Sequence, residues 1–339
     1  MKQNQFRRSL ALIGAGYWGK NLARNFNNLG ALHTICDTSE ENRVRFKSEY
    51  DVAVVNSTID VWNNPEITCV AIAAPAILHY QLSKEALLAG KDVFVEKPLC
   101  LDLDDAKELV QIAKDNGRVL MVGHLLHYHP CVEAIKALVQ SEIGRLHYIT
   151  SNRLNLGKIR KEENALWSFA PHDLSVILSL TGNVLPKEVN CVGGAYLTPG
   201  VVDTTMTTMR FSGNTRAHVY VSWLNPFKEQ KLTVVGSDGM LVFDDTKPWK
   251  EKLTLYRKYL IREDNQTLVP NKLTEELIDV PEAEPLRAEC VHYLECCENR
   301  QEPLTNGIEG LRVLELLHLA QHSLELSGAE IVSSNLKID

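Results

Sequence analysis

The chain has 339 residues, 45% of them hydrophobic and 23% charged, with a formal net charge of −7. That length predicts about two domains with a sizeable buried core. The mild negative balance argues against a nucleic-acid surface, which needs clustered basic residues, and no run of about 18 apolar residues suggests a membrane span.

Met1–Arg8 is basic and precedes Leu10–Ile13, but that apolar run is too short for a signal peptide and breaks into glycines. It reads instead as a strand leading into Gly14-Ala15-Gly16-Tyr17-Trp18-Gly19 and a helix, Lys20–Leu29, closed by Gly30. This is G-x-G-x-x-G after a strand and opening a helix. The glycines allow a tight turn and close approach of a pyrophosphate, which the helix N-terminus attracts. A second strand, Leu32–Cys36, ends at Asp37 about 20 residues beyond the glycines, where a carboxylate accepts hydrogen bonds from an adenosine ribose. An acid there repels a 2′-phosphate, so NAD is expected. Arg43, a helical turn further on, leaves NADP as the lesser alternative. Asp37 could instead cap the helix Ser39–Tyr50, a role that Thr38 or Ser39 fills equally well.

The alternation continues through Ala53–Val55, a helical stretch ending near Asn63-Asn64-Pro65, and the buried strand Cys69–Ala73. Ala74-Pro75 then precedes the helix His79–Ala89, stopped by Gly90. Val93–Val95 runs into Glu96-Lys97-Pro98-Leu99. The helix Asp102–Asn116, its stop at Gly117 and the strand Val119–Val122 follow. Strands separated by helices imply right-handed βαβ crossovers and an α/β Rossmann domain, a doubly wound parallel sheet, over residues 1–123. Ligands sit at the carboxyl ends of such strands. Ala74, Pro75 and His79 are therefore expected near the nicotinamide, and Glu96 and Lys97 beside the cofactor, with Lys97 suited to proton transfer.

The glycine fingerprint, the acidic end of the second strand, A-A-P with a following histidine, and E-K-P-L resemble the glucose–fructose oxidoreductase / inositol dehydrogenase (Gfo/Idh/MocA) family over essentially the whole chain. The resemblance implies that Lys97 lies beside the substrate hydroxyl and the nicotinamide, and that the Lys97–Pro98 bond is cis.

Gly123-His124-Leu125-Leu126-His127-Tyr128-His129 follows the sixth strand. No cysteine or carboxylate pattern completes a site with these histidines, so no metal is expected. The family usually lines its substrate pocket here, which makes His127 and Tyr128 pocket candidates, while His124 reads as structural. After a helix, Cys131–Gln140, the pattern turns to alternating strands: Arg145–Asn155, Lys187–Cys191, Asp203–Phe211, Thr215–Trp223, Lys231–Val235 and Met240–Phe243. Helices around Glu284–Asn299 and Ile308–Leu326 close the chain. Residues 124–339 are thus expected to form an α+β C-terminal domain with a large open, mainly antiparallel sheet for substrate binding and oligomerisation, its C-terminal helix able to pack back on the first domain. An uncovered sheet face supports a homo-oligomer, dimer or tetramer.

One helix interrupts the sheet at Trp167–Ser175. His172 lies on the same side as Ser168, four residues earlier. The resemblance implies a catalytic histidine here, often with an aspartate four residues before it; Ser168 is a departure from that pattern. Asp173 projects about 100° round the helix from His172. A cap at a helix start, with Pro171 in its first turn, is the bland alternative. Upstream, Arg153, Asn155, Lys158, Arg160 and Lys161 form a basic stretch suited to a phosphate or carboxylate, or else simply a solvated loop. With Asn164 and Trp167 it resembles the branch that oxidises C3 of UDP-linked N-acetyl-amino-sugar uronates for surface polysaccharides.

The expected function is NAD-dependent oxidation of a sugar secondary alcohol, with Lys97 and His172 sharing the proton. A free sugar or inositol is the alternative substrate, and a non-catalytic dinucleotide-sensing regulator the alternative of another class. The eight cysteines show no C-x-x-C spacing and read as small hydrophobes in a reducing, cytoplasmic compartment.

Overall fold

The computed structural model describes residues 6–157, 159–161, 163–257, 260–262, 267–270 and 274–333. It divides into two compact units. One comprises residues 1–128 and 284–314, the other residues 129–283 and 315–339.

The first unit contains β1 (Leu10–Ile13), α1 (Gly19–Asn28), β2 (Leu32–Cys36), α2 (Glu40–Glu49), β3 (Ala53–Val55), α3 (Ile59–Trp62), β4 (Cys69–Ile72), α4 (His79–Leu88), β5 (Asp92–Glu96), α5 (Leu103–Asp115) and β6 (Leu120–Gly123). The strands pair in the order β3-β2-β1-β4-β5-β6, every pair parallel. This is the Rossmann order, and the crevice lies where it reverses, between β1 and β4. β1, β4 and β6 are buried throughout, as strands covered on both faces must be. The helices start and stop on local signals. Ser39 caps α2 by accepting from the Asn42 N–H at 3.3 Å. Asp102 caps α5 through the Asp104 and Asp105 N–H groups. Gly30, Gly90 and Gly117 take left-handed φ values just past α1, α4 and α5.

Whereas the sequence suggested a cut at 123/124, the division is discontinuous, because residues 284–314 return to the first unit. Burial of one face of the next helix explains this. That helix spans Pro285–Asn299, and its Leu286, Cys290, Tyr293 and Leu294 join the core around Phe26 and Phe94. The Tyr293 ring meets Phe26 edge-on at 6.4 Å and Phe94 at 5.6 Å, and its hydroxyl donates to the Val70 carbonyl at 3.0 Å. A buried tyrosine of this kind contributes large apolar area while its one polar atom stays satisfied.

The second unit is built on α6 (Pro130–Glu142), β7 (Leu146–Leu156), α7 (Ala165–Leu180), β8 (Glu188–Gly194), β9 (Thr204–Arg210), β10 (Arg216–Ser222), β11 (Leu224–Gly236), β12 (Gly239–Asp244) and β13 (Leu253–Arg257). The short strands β14 (Leu260–Arg262), β15 (Leu268–Pro270), β16 (Thr274–Leu277) and, near the end, β17 (Ile331–Val332) complete its strands among the described residues. The main sheet runs β16-β13-β12-β11-β7-β10-β9-β8-β17. All its pairs are antiparallel except β7 with β10, which is parallel. Ala217, Val219 and Val221 of β10 are buried while Arg216 and His218 are exposed, the alternation of a strand with one covered face. α7 packs on that covered face against β7, β9 and β10. Strand β11 extends well before Lys231, where the sequence suggested it began. There Lys228, Glu229 and Gln230 carry no apolar alternation, and β7 recruits the segment through backbone pairing past a break in register. With α8 assigned to Pro285–Asn299, α9 covers Gly307–Glu325, its residues up to Leu314 in the first unit and the rest in the second.

Candidate active site

At the carboxyl end of β1 the chain must turn within a few residues to start α1. Gly14 makes the turn at φ +86°, and a Cβ there would lie 2.9 Å from both the Ala73 carbonyl oxygen and the Ala74 nitrogen. Only glycine fits a left-handed position pressed against another backbone. A Cβ on Gly16, by contrast, would meet nothing within 4 Å, so this backbone faces open space. α1 then begins with no side-chain cap and no acidic residue in its first turn. Its leading N–H groups and positive dipole end thus suit an anion such as a pyrophosphate.

Asp37 closes the other side of this loop. Its carboxylate accepts from the Ala15 N–H at 2.7 Å, the Ser39 N–H at 2.8 Å and the Asn42 side chain at 3.2 Å. A carboxylate offers about four acceptor positions, so capacity remains for one ribose hydroxyl. Asp37 is not the cap of α2, since Ser39 takes that role. Arg43 is braced on the Asp37 and Thr38 carbonyls, at 2.8 Å each. The glycine turn, the bare helix start and the carboxylate together fit an NAD molecule.

Across the crevice, Glu96 ends β5 and Lys97 follows, joined to Pro98 by a cis peptide bond. The Trp18 indole N–H donates to the Glu96 carboxylate, tying the glycine loop to the residue before Lys97. A Cβ on Gly123, at the end of β6, would lie 3.0 Å from Glu96 Oε2, so that glycine makes room for the acid. Burial lifts the Glu96 carboxyl to about 7, against the opposing pull of the Trp18 N–H and the Lys97 charge. A second acid, Glu289 on α8, is pushed well above the ordinary range by its own burial and by Glu96. Its Oε1 is buried with no hydrogen-bond partner among the described residues. Sequence reasoning passed over Glu289. The signal was its place on the apolar face of α8, between Leu286 and Tyr293.

His79, expected on the cofactor, is 1% exposed, and its ring is spent on the protein. Nδ1 lies 2.7 Å from the Pro98 carbonyl oxygen and Nε2 2.9 Å from that of Ala74. His127 and Tyr128, expected to line the pocket, are 1% and 4% exposed and belong to the first unit's interior. The Tyr128 hydroxyl pairs with Thr305 Oγ1 at 3.1 Å, and burial pushes its pKa up. The physical reason is the segment 284–314, which covers what the sequence left as an open strand end. His124 is buried too, with Nδ1 2.6 Å from Glu309 Oε2.

In the second unit, His172 and Ser168 lie on α7, one turn apart. That helix begins at Ala165, capped by Asn164, so Pro171 sits inside it and the helix-start explanation of His172 and Asp173 fails. The basic stretch is not a free cationic loop. Arg153 lies on β7 and forks onto Asp173, with Nε to Oδ2 at 2.6 Å and Nη2 to Oδ1 at 3.1 Å, while Ser151 donates to the same carboxylate at 2.7 Å. Arg153 and Asp173, both expected on substrate, therefore neutralise each other inside the unit. Arg160 pairs with Glu163 at 2.7 Å, and Lys158 lies outside the described residues. Asn164 also donates to Gln321 at 2.9 Å, and the Trp167 indole N–H donates to the same oxygen at 3.2 Å. Asn155 retains a buried Oδ1 with no partner among the described residues. Among those residues no group of three or more His, Cys, Asp or Glu side chains converges as a metal site, and no helix is long and apolar enough to cross a membrane.

Comparison with known proteins gives two family matches. Residues 8–124 match an oxidoreductase family profile described as an NAD-binding Rossmann fold, and residues 132–242 match a GFO/IDH/MocA C-terminal domain. Uncharacterized oxidoreductase YdgJ of Escherichia coli (strain K12) is 30% identical over 258 residues, covering 72% of this chain and 73% of YdgJ. UDP-N-acetylglucosamine 3-dehydrogenase of Acidithiobacillus ferrooxidans is 25% identical over 306 residues, or 89% of this chain and 93% of that enzyme. Its solved structure superposes with a TM-score of 0.83 over 94% of this chain and 98% of that one. Levoglucosan dehydrogenase, solved with NADH and levoglucosan, superposes with the same score at 18% identity, covering 96% and 99% of the two chains, a likeness of fold.

Proposed function

Since the chain belongs to the Gfo/Idh/MocA family of NAD-binding oxidoreductases, we propose that it oxidises a secondary alcohol of a sugar, reversibly, with Lys97 as the base at the reacting hydroxyl. The observation that carries this reading is the Trp18–Glu96 hydrogen bond, which draws the dinucleotide loop against the residue preceding Lys97. NAD, when bound, supplies the hydride acceptor. The protein's part is to place the alcohol, remove its proton and keep Lys97 able to accept it.

Lysine accepts a proton only when neutral. A carboxylate next door would hold the ammonium form, but Glu96, lifted to about 7 by burial, carries only part of that charge at neutral pH and little of it below. His172 is the second proton-transfer group, and Asn155, whose buried Oδ1 has no partner among the described residues, is a substrate contact: a buried acceptor without a donor costs about 1–3 kcal/mol, which a sugar hydroxyl would recover.

For the substrate we favour C3 of a UDP-linked N-acetyl-amino sugar or its uronate, on the strength of the relationship to the UDP-N-acetylglucosamine 3-dehydrogenase. A free sugar is the second reading, favoured by one specific observation: Arg153 and Arg160 already have carboxylate partners and are poorly placed to meet a diphosphate. The uncovered face of the main sheet, with Val192, Met206 and Tyr148 exposed, suits a second copy of the chain.

The test is reduction of NAD by the wild type and by Lys97→Met, across a panel of UDP-amino sugars and free sugars. Turnover with the wild type, its loss in Lys97→Met and unchanged NADH binding are expected. Retained turnover in Lys97→Met would sink the assignment.

A further inference from the structure

His79 opens α4 just beyond the Ala74-Pro75 segment, and its imidazole is 1% exposed. Both ring nitrogens point at backbone carbonyl oxygens, Nδ1 at Pro98 and Nε2 at Ala74. The two carbonyls belong to the two loops at the carboxyl ends of β5 and β4. Pro98 is joined directly to Lys97 by the cis bond. The Ala73–Ala74 peptide is the backbone against which Gly14 is pressed, so it forms a wall of the dinucleotide crevice. One ring therefore bridges the loop that carries the proposed base and the wall that the cofactor meets.

We propose that His79 is a positioning residue that sets Lys97 relative to the bound dinucleotide, a role that rests on the dehydrogenase reading given above. Two carbonyls need two N–H donors. A protonated ring supplies both, while a neutral ring donates to one carbonyl and turns a lone pair towards the other. Burial and the Lys97 charge favour the neutral ring, and the two carbonyls favour the protonated one. In either state the ring keeps at least one of its two bonds.

The two bonds can be separated by substitution. An asparagine side chain places its amide nitrogen near the position of the imidazole Nδ1 and keeps the Pro98 bond. Glutamine reaches the Nε2 position and keeps the Ala74 bond. His79→Ala removes both. With turnover and NADH binding measured side by side, His79→Ala is expected to lose about 10-fold or more in kcat, because sub-ångström misplacement of a reacting group is costly. Its Kd for NADH should move by less than kcat falls, by about 3-fold, since His79 braces only one wall of the crevice while Gly14 and Asp37 keep their own hydrogen bonds to Cys36 and Ala15. His79→Asn should recover most of the lost kcat, and His79→Gln should recover less, because only the Pro98 bond leads directly to Lys97.

A wild type active on the sugar panel together with His79→Ala of unchanged kcat overturns the positioning role alone. Equal losses in the Ala, Asn and Gln variants, tracking their melting temperatures, overturn it too, because they describe a core residue and nothing more. A wild type inactive on the whole panel removes the dehydrogenase reading itself, and the positioning role with it.

Discussion

Replacing Glu96 with glutamine tests whether the fold holds this acid protonated. Glutamine keeps an oxygen for the Trp18 N–H and occupies the space that Gly123 leaves, but it cannot ionise. Below pH 4.5 the wild-type carboxyl is neutral in both folded and unfolded chains and makes no difference. From there to about 7 only the unfolded chain gives up its proton, so wild-type stability falls as pH rises; above about 7 the loss is complete. The gap between 4.5 and about 7, at ~1.36 kcal/mol per pH unit, amounts to as much as about 3 kcal/mol. Titrating groups that do not interact with Glu96 cancel in the difference; Lys97, His124, Glu289 and Cys290, which do, make about 3 kcal/mol an upper bound. Urea denaturation at about pH 5 and about pH 8 should therefore show Glu96→Gln gaining up to about 3 kcal/mol on the wild type between the two. Parallel pH profiles would mean that Glu96 is an ordinary solvated carboxylate, and its proposed effect on Lys97 would fall with them.

Asp173→Asn strips the Arg153 guanidinium of its buried counter-charge and should cost about 3–5 kcal/mol in urea denaturation. An Arg153→Met, Asp173→Leu double variant should recover most of that, and a loss below about 1 kcal/mol in the single variant would show the pair to be solvated. Tyr128→Phe should lose about 1 kcal/mol with its Thr305 bond; no change in the denaturation midpoint would contradict its place in the interior. Asp37→Ala should weaken NAD binding by about 10-fold and narrow its advantage over NADP, read by fluorescence titration of the reduced cofactors. Unaltered preference would remove Asp37 from the ribose site.

The Rossmann half was legible because its signals are local. Gly14, Gly16 and Asp37 lie within one βαβ unit, and a helix stop such as Gly90 announces itself by residue type. What escaped depends on partners distant in sequence. Tyr128 follows a strand end where ligands gather, and nothing near it reveals that Thr305 and the neighbouring segment will close over it. Arg153 reads as a phosphate ligand until Asp173, 20 residues on, folds back onto β7. His79 looks like a cofactor contact because its spacing is right, yet its two partners are carbonyls that sequence cannot display. Glu289 breaks an apolar face in a helix that was expected to belong elsewhere, so its meeting with Glu96 was out of view.

The parallel pairing of β7 with β10 governs how the second unit can be assembled. Two parallel neighbours cannot be joined by a tight turn, and here the intervening chain, about 60 residues long, carries α7, β8 and β9. The middle of the sheet thus waits on closure of a long loop, a high-contact-order step that folds slowly. The helix with His172 is carried on that loop. Trimming the chain to simplify the sheet would remove the histidine as well, and grafting the helix onto an antiparallel meander would leave it without the connection that holds it there.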